Sequence, residues 1–311
     1  ECPVENGECI PKKVASLSSV PGIESAGQKA QVVDELRQDF PLAGLLLLAQ
    51  LARSTFYYQL KVLGADDPDA ALKVTMGAIY QRHRGNYGYR RVTDELRLDH
   101  GYRINNKKVS RILGELGMRS IQRPKKYKSY KGEVGTVAKN LLNRDFTADG
   151  PHKKWTTDVT EFKCAGIKLY LSPVLDMYNG EIIAYQMNTR PKFELVSKMI
   201  KKAFAKLRPA DKPMLHSDQG WHYRMKEYCE TLTKHGVVQS MSRKANCYDN
   251  AVMENFFGIL KSEMFHGKTF SSIDKLRKAI TAYIKYYNND RIKSRLNGLS
   301  PVKYRTQHAT V

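Results

Sequence analysis

Trp155-Thr156-Thr157-Asp158-Val159-Thr160-Glu161-Phe162 is a run rich in β-branched residues in which apolar and polar side chains alternate. That pattern reads as a strand and sets a carboxylate, Asp158, inside it. Two further acids stand downstream in different settings. Met214-Leu215-His216-Ser217-Asp218-Gln219-Gly220 reads as a short apolar strand that ends at a glycine turn, with Asp218 at the end. Ala251-Val252-Met253-Glu254-Asn255-Phe256-Phe257-Gly258-Ile259-Leu260-Lys261 is amphipathic at helical spacing and carries Glu254 near its start. Thirty-five residues separate Asp218 from Glu254. Two strand-borne aspartates and a helix-borne glutamate form an oxygen-only donor set suited to hard divalent cations. A pair of such cations can hold both the attacking and the leaving oxygen of an in-line displacement at phosphorus.

Composition points the same way. The 311 residues carry 52 Lys and Arg against 31 Asp and Glu, a formal charge of +21. A polyanionic partner follows, with nucleic acid first. Apolar residues make up 41% of the chain, enough for a packed core. The longest apolar run, Leu45-Leu46-Leu47-Leu48-Ala49, is far short of the ~20 residues of a membrane span, so no membrane partner is expected. Five scattered cysteines (Cys2, Cys9, Cys164, Cys229, Cys247) argue against a disulfide framework. Cys2 and Cys9 lack the companions of a zinc site. The first residue is Glu, which suggests part of a longer product.

Along the chain, residues 1–28 read as a flexible lead-in with Pro, Gly and Ser and no periodicity. Residues 29–117 read as helical and DNA-binding. Within them Leu51–Tyr58 looks like the turn into a recognition helix, with Ser54 as N-cap; a plain helical hairpin fits equally well. Between residues 82 and 131 there are fifteen Lys or Arg against four acids, half the excess charge of the chain in a sixth of its length. Tyr87, Tyr89, Tyr127 and Tyr130 are interleaved with these cations. Arg90, Arg91, Lys107, Lys108 and Arg111 are the candidate DNA contacts there, although a charge run is often only a solvated face. Residues 118–150 read as a basic linker. Residues 151–290 then read as an α/β domain: strands over 155–163, 168–178, 181–188, 213–217 and 237–241, with helices over 193–207, 223–235, 250–265 and 272–288. Asp249-Asn250 would cap the helix that carries Glu254, and Lys261 lies two turns on along the same face. Residues 291–311 read as a tail.

Any one of the three acids taken alone is more often a salt-bridge partner or a cap than a ligand. Asp176, Glu161, His216 and His222 read as structural for the same reason. Three acids on a strand, a strand end and a helix, in so basic a protein, reverse that weighting. The motifs Trp155–Thr160, His216–Gly220 and Asn246–Phe257 followed by Lys261 resemble the signature of the IS3-family insertion-sequence transposases. The likeness is to the second reading-frame product, which carries a DDE, retroviral-integrase-like core. Tyr286–Arg291 with Leu299-Ser300-Pro301 is similar to the family's C-terminal end. His83–Arg91 resembles its upstream helix-turn-helix-like segment. The resemblance covers roughly residues 30–305; residues 1–28 match nothing in it.

The resemblance implies an RNase H-like mixed sheet flanked by helices, preceded by an all-α region. It implies Asp158, Asp218 and Glu254 as ligands of two Mg²⁺ ions, with Mn²⁺ able to substitute, and Lys261 as a contact to terminal DNA. The activity implied is strand cleavage followed by strand transfer, without a covalent protein–DNA intermediate. Element ends and target DNA would be the partners, with a homo-multimer in the synaptic complex and the upstream-frame product as a further partner. A cytoplasmic, nucleoid-associated bacterial location follows. The zinc-binding front domain of retroviral integrases has no counterpart here. A non-catalytic DNA-binding regulator explains the charge but not the three acids. An RNase H-type nuclease would lack only strand transfer. A tyrosine recombinase would rest on His100-Gly101-Tyr102-Arg103, a match that arises easily by chance.

Overall fold

The computed structural model describes residues 25–65, 67–120, 138–243 and 247–308. Cys2, Cys9, Tyr127, Tyr130 and the middle of the expected basic linker lie outside these residues. Two compact units divide between Val74 and Thr75. The division falls inside the expected 29–117 region, so the helices after Thr75 belong to the unit that holds the sheet.

The first unit contains α1 (Ala26–Leu36), α2 (Leu42–Leu48) and α3 (Arg53–Leu63). Helix α1 begins within the stretch expected as lead-in, because Ser25 and Gln28 exchange hydrogen bonds as a capping box. Ala30, Val33 and Leu36 meet Leu45, Leu46, Ala49 and Phe56 in one buried cluster. Ser54 is not the N-cap of α3. The helix already begins at Arg53, with Ala52 at the cap and no side-chain cap bond. Helix α4 (Ala70–Arg82) crosses the division between the units.

The second unit is built on a sheet of β1 (Lys154–Thr157), β2 (Thr160–Cys164), β3 (Ile167–Asp176), β4 (Ile182–Asn188), β5 (Met214–Ser217) and β6 (Val238–Met241). Strand β3 pairs antiparallel with β1, β2 and β4, whereas β1–β5 and β5–β6 are parallel. The strand expected over 155–163 is interrupted at Asp158 and Val159, yet its register on β3 continues, Thr157 opposite Val174 and Thr160 opposite Leu171. That register sets Asp158 opposite Pro173, which has no N–H to give to a ladder. The Pro173 carbonyl instead accepts the Thr157 hydroxyl at 2.8 Å.

Side chains alternate across the sheet. Trp155, Val174, Ile183 and Leu215 pack on one face against α7 (Phe193–Phe204) and α8 (Lys226–Lys234). Leu171, Leu175 and Ile182 pack on the other against α9 (Ala251–Leu260) and α10 (Ile273–Asn289). The expected basic linker is partly core: Leu142 is buried, and the backbone N–H groups of Leu141 and Leu142 donate to Ser240 Oγ at 3.0 and 3.3 Å. The expected tail holds α11 (Pro301–His308), because Ser300 Oγ accepts the Lys303 N–H and Pro301 takes the first helical position.

Helices α5 (Tyr89–Leu98) and α6 (Asn106–Glu115) bury Val92 and Leu96, and Val109, Ile112 and Leu113. Asn105 caps α6 by accepting the Lys107 N–H at 2.8 Å. The glycine-rich stretch before α5 docks on α10. His83 stacks on Tyr87 with centroids 3.7 Å apart, its Nδ1 is hydrogen-bonded to the Tyr286 hydroxyl at 2.9 Å, and the Ile292 N–H donates to Tyr87 Oη at 2.9 Å. Tyr87, expected among the aromatics that face nucleic acid, is therefore core. Gly298 lies on α5 with φ +77°; a Cβ there would come within 2.6 Å of Leu98 Cδ1.

An ion pair buried beside α10 holds this end together. Arg291 Nη2 and Nε reach Glu263 at 2.7 and 2.9 Å, and the Tyr283 hydroxyl donates to the same carboxylate at 2.9 Å. Removing one partner of such a pair strands the other charge in a dry site. Glu263→Leu is expected to destabilise the protein by roughly 3–5 kcal/mol, read as a lower urea midpoint. A loss below about 1 kcal/mol, the scale of an exposed pair, would show that the pair does not support the fold.

Candidate active site

Pro173 opens the ladder at Asp158, and the freed carboxylate turns back on its own chain: the Val159 N–H donates to Asp158 Oδ1 at 2.6 Å. Asp218 follows the last residue of β5, the next strand, and accepts the Gly220 N–H at 2.9 Å. Gly220 has an ordinary φ of −54°, so its need is space. A Cβ there would lie 2.9 Å from Asp218 Oδ1 and 3.3 Å from the Tyr223 ring.

Glu254 stands exposed in the first turn of α9. The start of that helix is not capped as expected, since Asn250 makes no side-chain cap bond. Its Oδ1 accepts the Thr156 hydroxyl at 2.8 Å in a buried contact. Asp249 is wholly buried and takes bonds from Arg243 Nε and Nη2 at 3.0 and 3.1 Å. Arg144 Nε at 3.1 Å and Asn140 Nδ2 at 2.9 Å donate to it as well. These contacts hold its carboxyl far below the usual range, the Arg243 bond contributing most. Thr156 precedes Asp158 by two residues and Asn250 precedes Glu254 by four, so one hydrogen bond ties the two acid-bearing elements together.

The electrostatics place the acids in one neighbourhood. Burial pushes the Asp158 carboxyl well above its ordinary range; the charges of Asp218 and Glu254 add to the push, while the Val159 N–H and Lys261 oppose it. Asp218 is raised by burial, against the Gly220 N–H and the nearby His222 and Arg224 side chains. Glu254 is raised by partial burial of its carboxyl, although the residue as a whole is exposed. Among the described residues, no three His, Cys, Asp or Glu side chains already stand as a metal cage. Glu254 is the exposed member of the three acids.

Lys261 reaches the same neighbourhood. Its Nζ sits 5.4 Å from the Phe162 ring centroid. Burial pushes the ammonium down, and Glu161 and Asp158 pull it back up. The helix widens there into a π turn over Lys261–Phe265. His216 is buried, with Nδ1 2.9 Å from Ser240 Oγ and Nε2 3.2 Å from Ser242 Oγ. Burial lowers it to about 4, so it is a neutral structural residue. His222 donates to the Pro191 carbonyl at 3.0 Å. Asp176 accepts the N–H groups of His152 and Tyr178, and Glu161 pairs with Lys168 at 3.0 Å.

Sequence reasoning missed Tyr223 and Thr156, and took Asn250 for a cap. Tyr223 is buried, and Asp158 and Asp218 add to the effect of burial in holding its hydroxyl protonated. No periodicity could have announced it. The candidate DNA contacts divide. Arg90, Lys107, Lys108 and Arg111 are exposed, Arg90 stacking over Tyr89 with its carbon 5.7 Å from the centroid and Arg111 pairing with Glu115. Arg91 turns inward over Tyr87 at 4.9 Å and lies 3.6 Å from Glu263.

Comparison with known proteins agrees with this architecture. Two profiles of the family described as Integrase core domain match residues 148–247 and 254–308, and an HTH-like domain profile matches residues 66–126. The chain is 52% identical over 277 residues to the protein named "Putative transposase InsK for insertion sequence element IS150" of Escherichia coli (strain K12); the match spans 89% of this chain and 98% of InsK. A transposase-like protein of Haemophilus influenzae is 56% identical over 66% of this chain and 94% of its own length. The InsF transposase of IS3A from E. coli K12 is 35% identical over 74% and 81% of the two chains. With an integrase-core mixed sheet and a helix-turn-helix-like segment in front of it, the chain belongs to the IS3-family insertion-sequence transposases.

Proposed function

We propose that Asp158, Asp218 and Glu254 together hold two divalent cations, Mg²⁺ or in its place Mn²⁺, and that with them the chain cuts DNA at element ends and joins the freed 3′ ends to target DNA. The observation that carries this reading is the crowding at Asp158. Burial and two like-charged neighbours raise the cost of its ionisation, and Lys261 is the cation that offsets it. An oxygen-only set under that repulsion fits hard cations.

When bound, such a pair of cations activates the attacking hydroxyl and takes up charge at the leaving 3′ oxygen. The chain's own residues do the rest. The Val159 and Gly220 N–H groups orient the two aspartates, leaving their other oxygens for ligation. The Thr156–Asn250 bond sets the helix of Glu254 against the strand of Asp158. Lys261 holds a phosphate of the terminal DNA beside the acids. Water is the nucleophile in cleavage and the freed 3′ hydroxyl in joining, so no protein nucleophile is needed. Exposed Arg90, Lys107, Lys108 and Arg111 contact the DNA backbone outside this centre. The chain works as a homo-multimer that brings two element ends together.

Asp158→Asn is expected to lower Mg²⁺-dependent cleavage by more than about a hundredfold, since even partners behind a metal ligand are worth 10–100-fold, with duplex binding retained. EDTA should stop the wild type in the same way. Joining of a pre-cleaved 3′ end to a plasmid should occur with the wild type and fail with the variant. Cleavage without joining would assign a nuclease instead, and unchanged cleavage by the variant would end the metal reading.

Thr156→Val leaves Asn250 Oδ1 buried without its donor, at a cost of about 1–3 kcal/mol. The expected result is a shift to higher Mg²⁺ concentration for half-maximal cleavage, with Thr156→Ser restoring it. An unchanged metal requirement would limit the bond to folding.

Lys261→Ala should weaken binding to terminal DNA and reduce the slope of log K against log salt by about one. An unaltered slope would make Lys261 a structural cation over Phe162.

A further inference from the structure

Behind α9 lies a cavity of about 350 Å³ whose wall is formed in part by Val252, Phe256 and Ile259. At 100° per residue these positions share one face of the helix, roughly opposite Glu254 and Lys261. The cavity is therefore separate from the acidic neighbourhood. Its other wall carries Arg91, Arg291, Lys293 and Arg295, and among the described residues no acidic side chain lines it.

The four cations are unequally satisfied. Arg291 is committed to Glu263 by its two-point bond. Lys293 Nζ donates to the Gly180 carbonyl at 3.2 Å and the Tyr287 hydroxyl at 2.8 Å, and lies 4.5 Å from the Tyr287 ring centroid. Those partners are neutral. Arg91 Nη1 is buried with no hydrogen-bond acceptor, Glu263 standing off at 3.6 Å. Arg295 extends its guanidinium toward the same wall beside Gly180, where any Cβ would collide with both it and Lys293. Burial, with Arg295 and Arg291 adding to it, pushes the Lys293 ammonium well below its ordinary range. A half-open pocket that gathers like charges around a buried, unmet N–H donor suits an anion.

We propose that this cavity is a phosphate-binding site, in which Arg91, Lys293 and Arg295 together hold the oxygens of one phosphate group. A phosphate has enough oxygens to meet three separated cations, and arginine forks match its geometry in two-point contacts; a carboxylate has only two oxygens to offer. The group can belong to free inorganic phosphate or to the backbone of bound DNA.

The test titrates the full-length chain with inorganic phosphate, against sodium chloride at equal ionic strength and without divalent metal, reading unfolding temperature and heat of binding. The wild type should show a saturable rise that chloride does not give. Arg295→Gln, altered at an exposed guanidinium, should keep its unfolding temperature in chloride and bind phosphate about tenfold more weakly. Val252→Phe, which fills the cavity and leaves every charge in place, should lose the phosphate response as well. An absent response in the wild type, or one retained in both variants, would overturn the assignment. Duplex binding in EDTA then separates the sources. A smaller salt slope in Arg295→Gln with competition by phosphate identifies the DNA backbone, and identical duplex binding identifies free phosphate. Since no metal or cleavage enters, the outcome is independent of the reading of Asp158, Asp218 and Glu254.

Discussion

One buried hydrogen bond, from the Thr156 hydroxyl to Asn250 Oδ1, joins the strand of Asp158 to the helix of Glu254 across 94 positions of sequence. Carboxylates repel one another, so elements that carry them part unless something uncharged holds them together. Here the neutral bond does so, while the buried Asp249, gripped by Arg144 and Arg243, fixes the start of the helix to the segments beside β6. The charges of Asp218 and Glu254 add to the effect of burial in raising the Asp158 carboxyl.

The proline opposite Asp158 belongs to the same arrangement. An unbroken strand would direct every backbone group of residues 155–163 into the ladder. Pro173 withholds one N–H, the ladder opens for two residues, and the carboxylate meets its own backbone at Val159. Gly220 acts on the neighbouring strand by leaving room. The precision of the site thus comes as much from what two residues lack as from what the acids provide.

The excess of positive charge divides into two populations. Arg90, Lys107 and Lys108 stand in solvent, where a phosphate backbone can reach them. Arg91 and Arg291 are drawn inward over Tyr87 and Tyr287 toward Glu263, and Lys293 over Tyr287. A count of Lys and Arg along residues 82–131 cannot separate the two. Arg90 and Arg91 are adjacent in sequence, and a helical turn of 100° sends one to water and the other to the core.

Local patterns carried far in this chain. Alternation placed the strands, helical spacing placed α7, α9 and α10, and the glycine after Asp218 marked its turn, because each of these depends on neighbours within a few residues. The motifs around the three acids indicated the family for the same reason. Other features were settled only in three dimensions. Asp249 and Asn250 look like helix caps in sequence, yet Asp249 is held by Arg243, six residues back, and by Arg144, 105 residues away, and Asn250 by Thr156, 94 residues away. Residues 138–150 look like a linker and pack on β6, and Tyr87 looks like an exposed aromatic and lies under His83 and Ile292. A hydrogen-bonding group or a ring does not reveal its partner when that partner lies 94, 98 or 205 residues away. Local order could therefore be read from the sequence, whereas the enclosure of the acids and the inward turn of the cations were decided by tertiary packing.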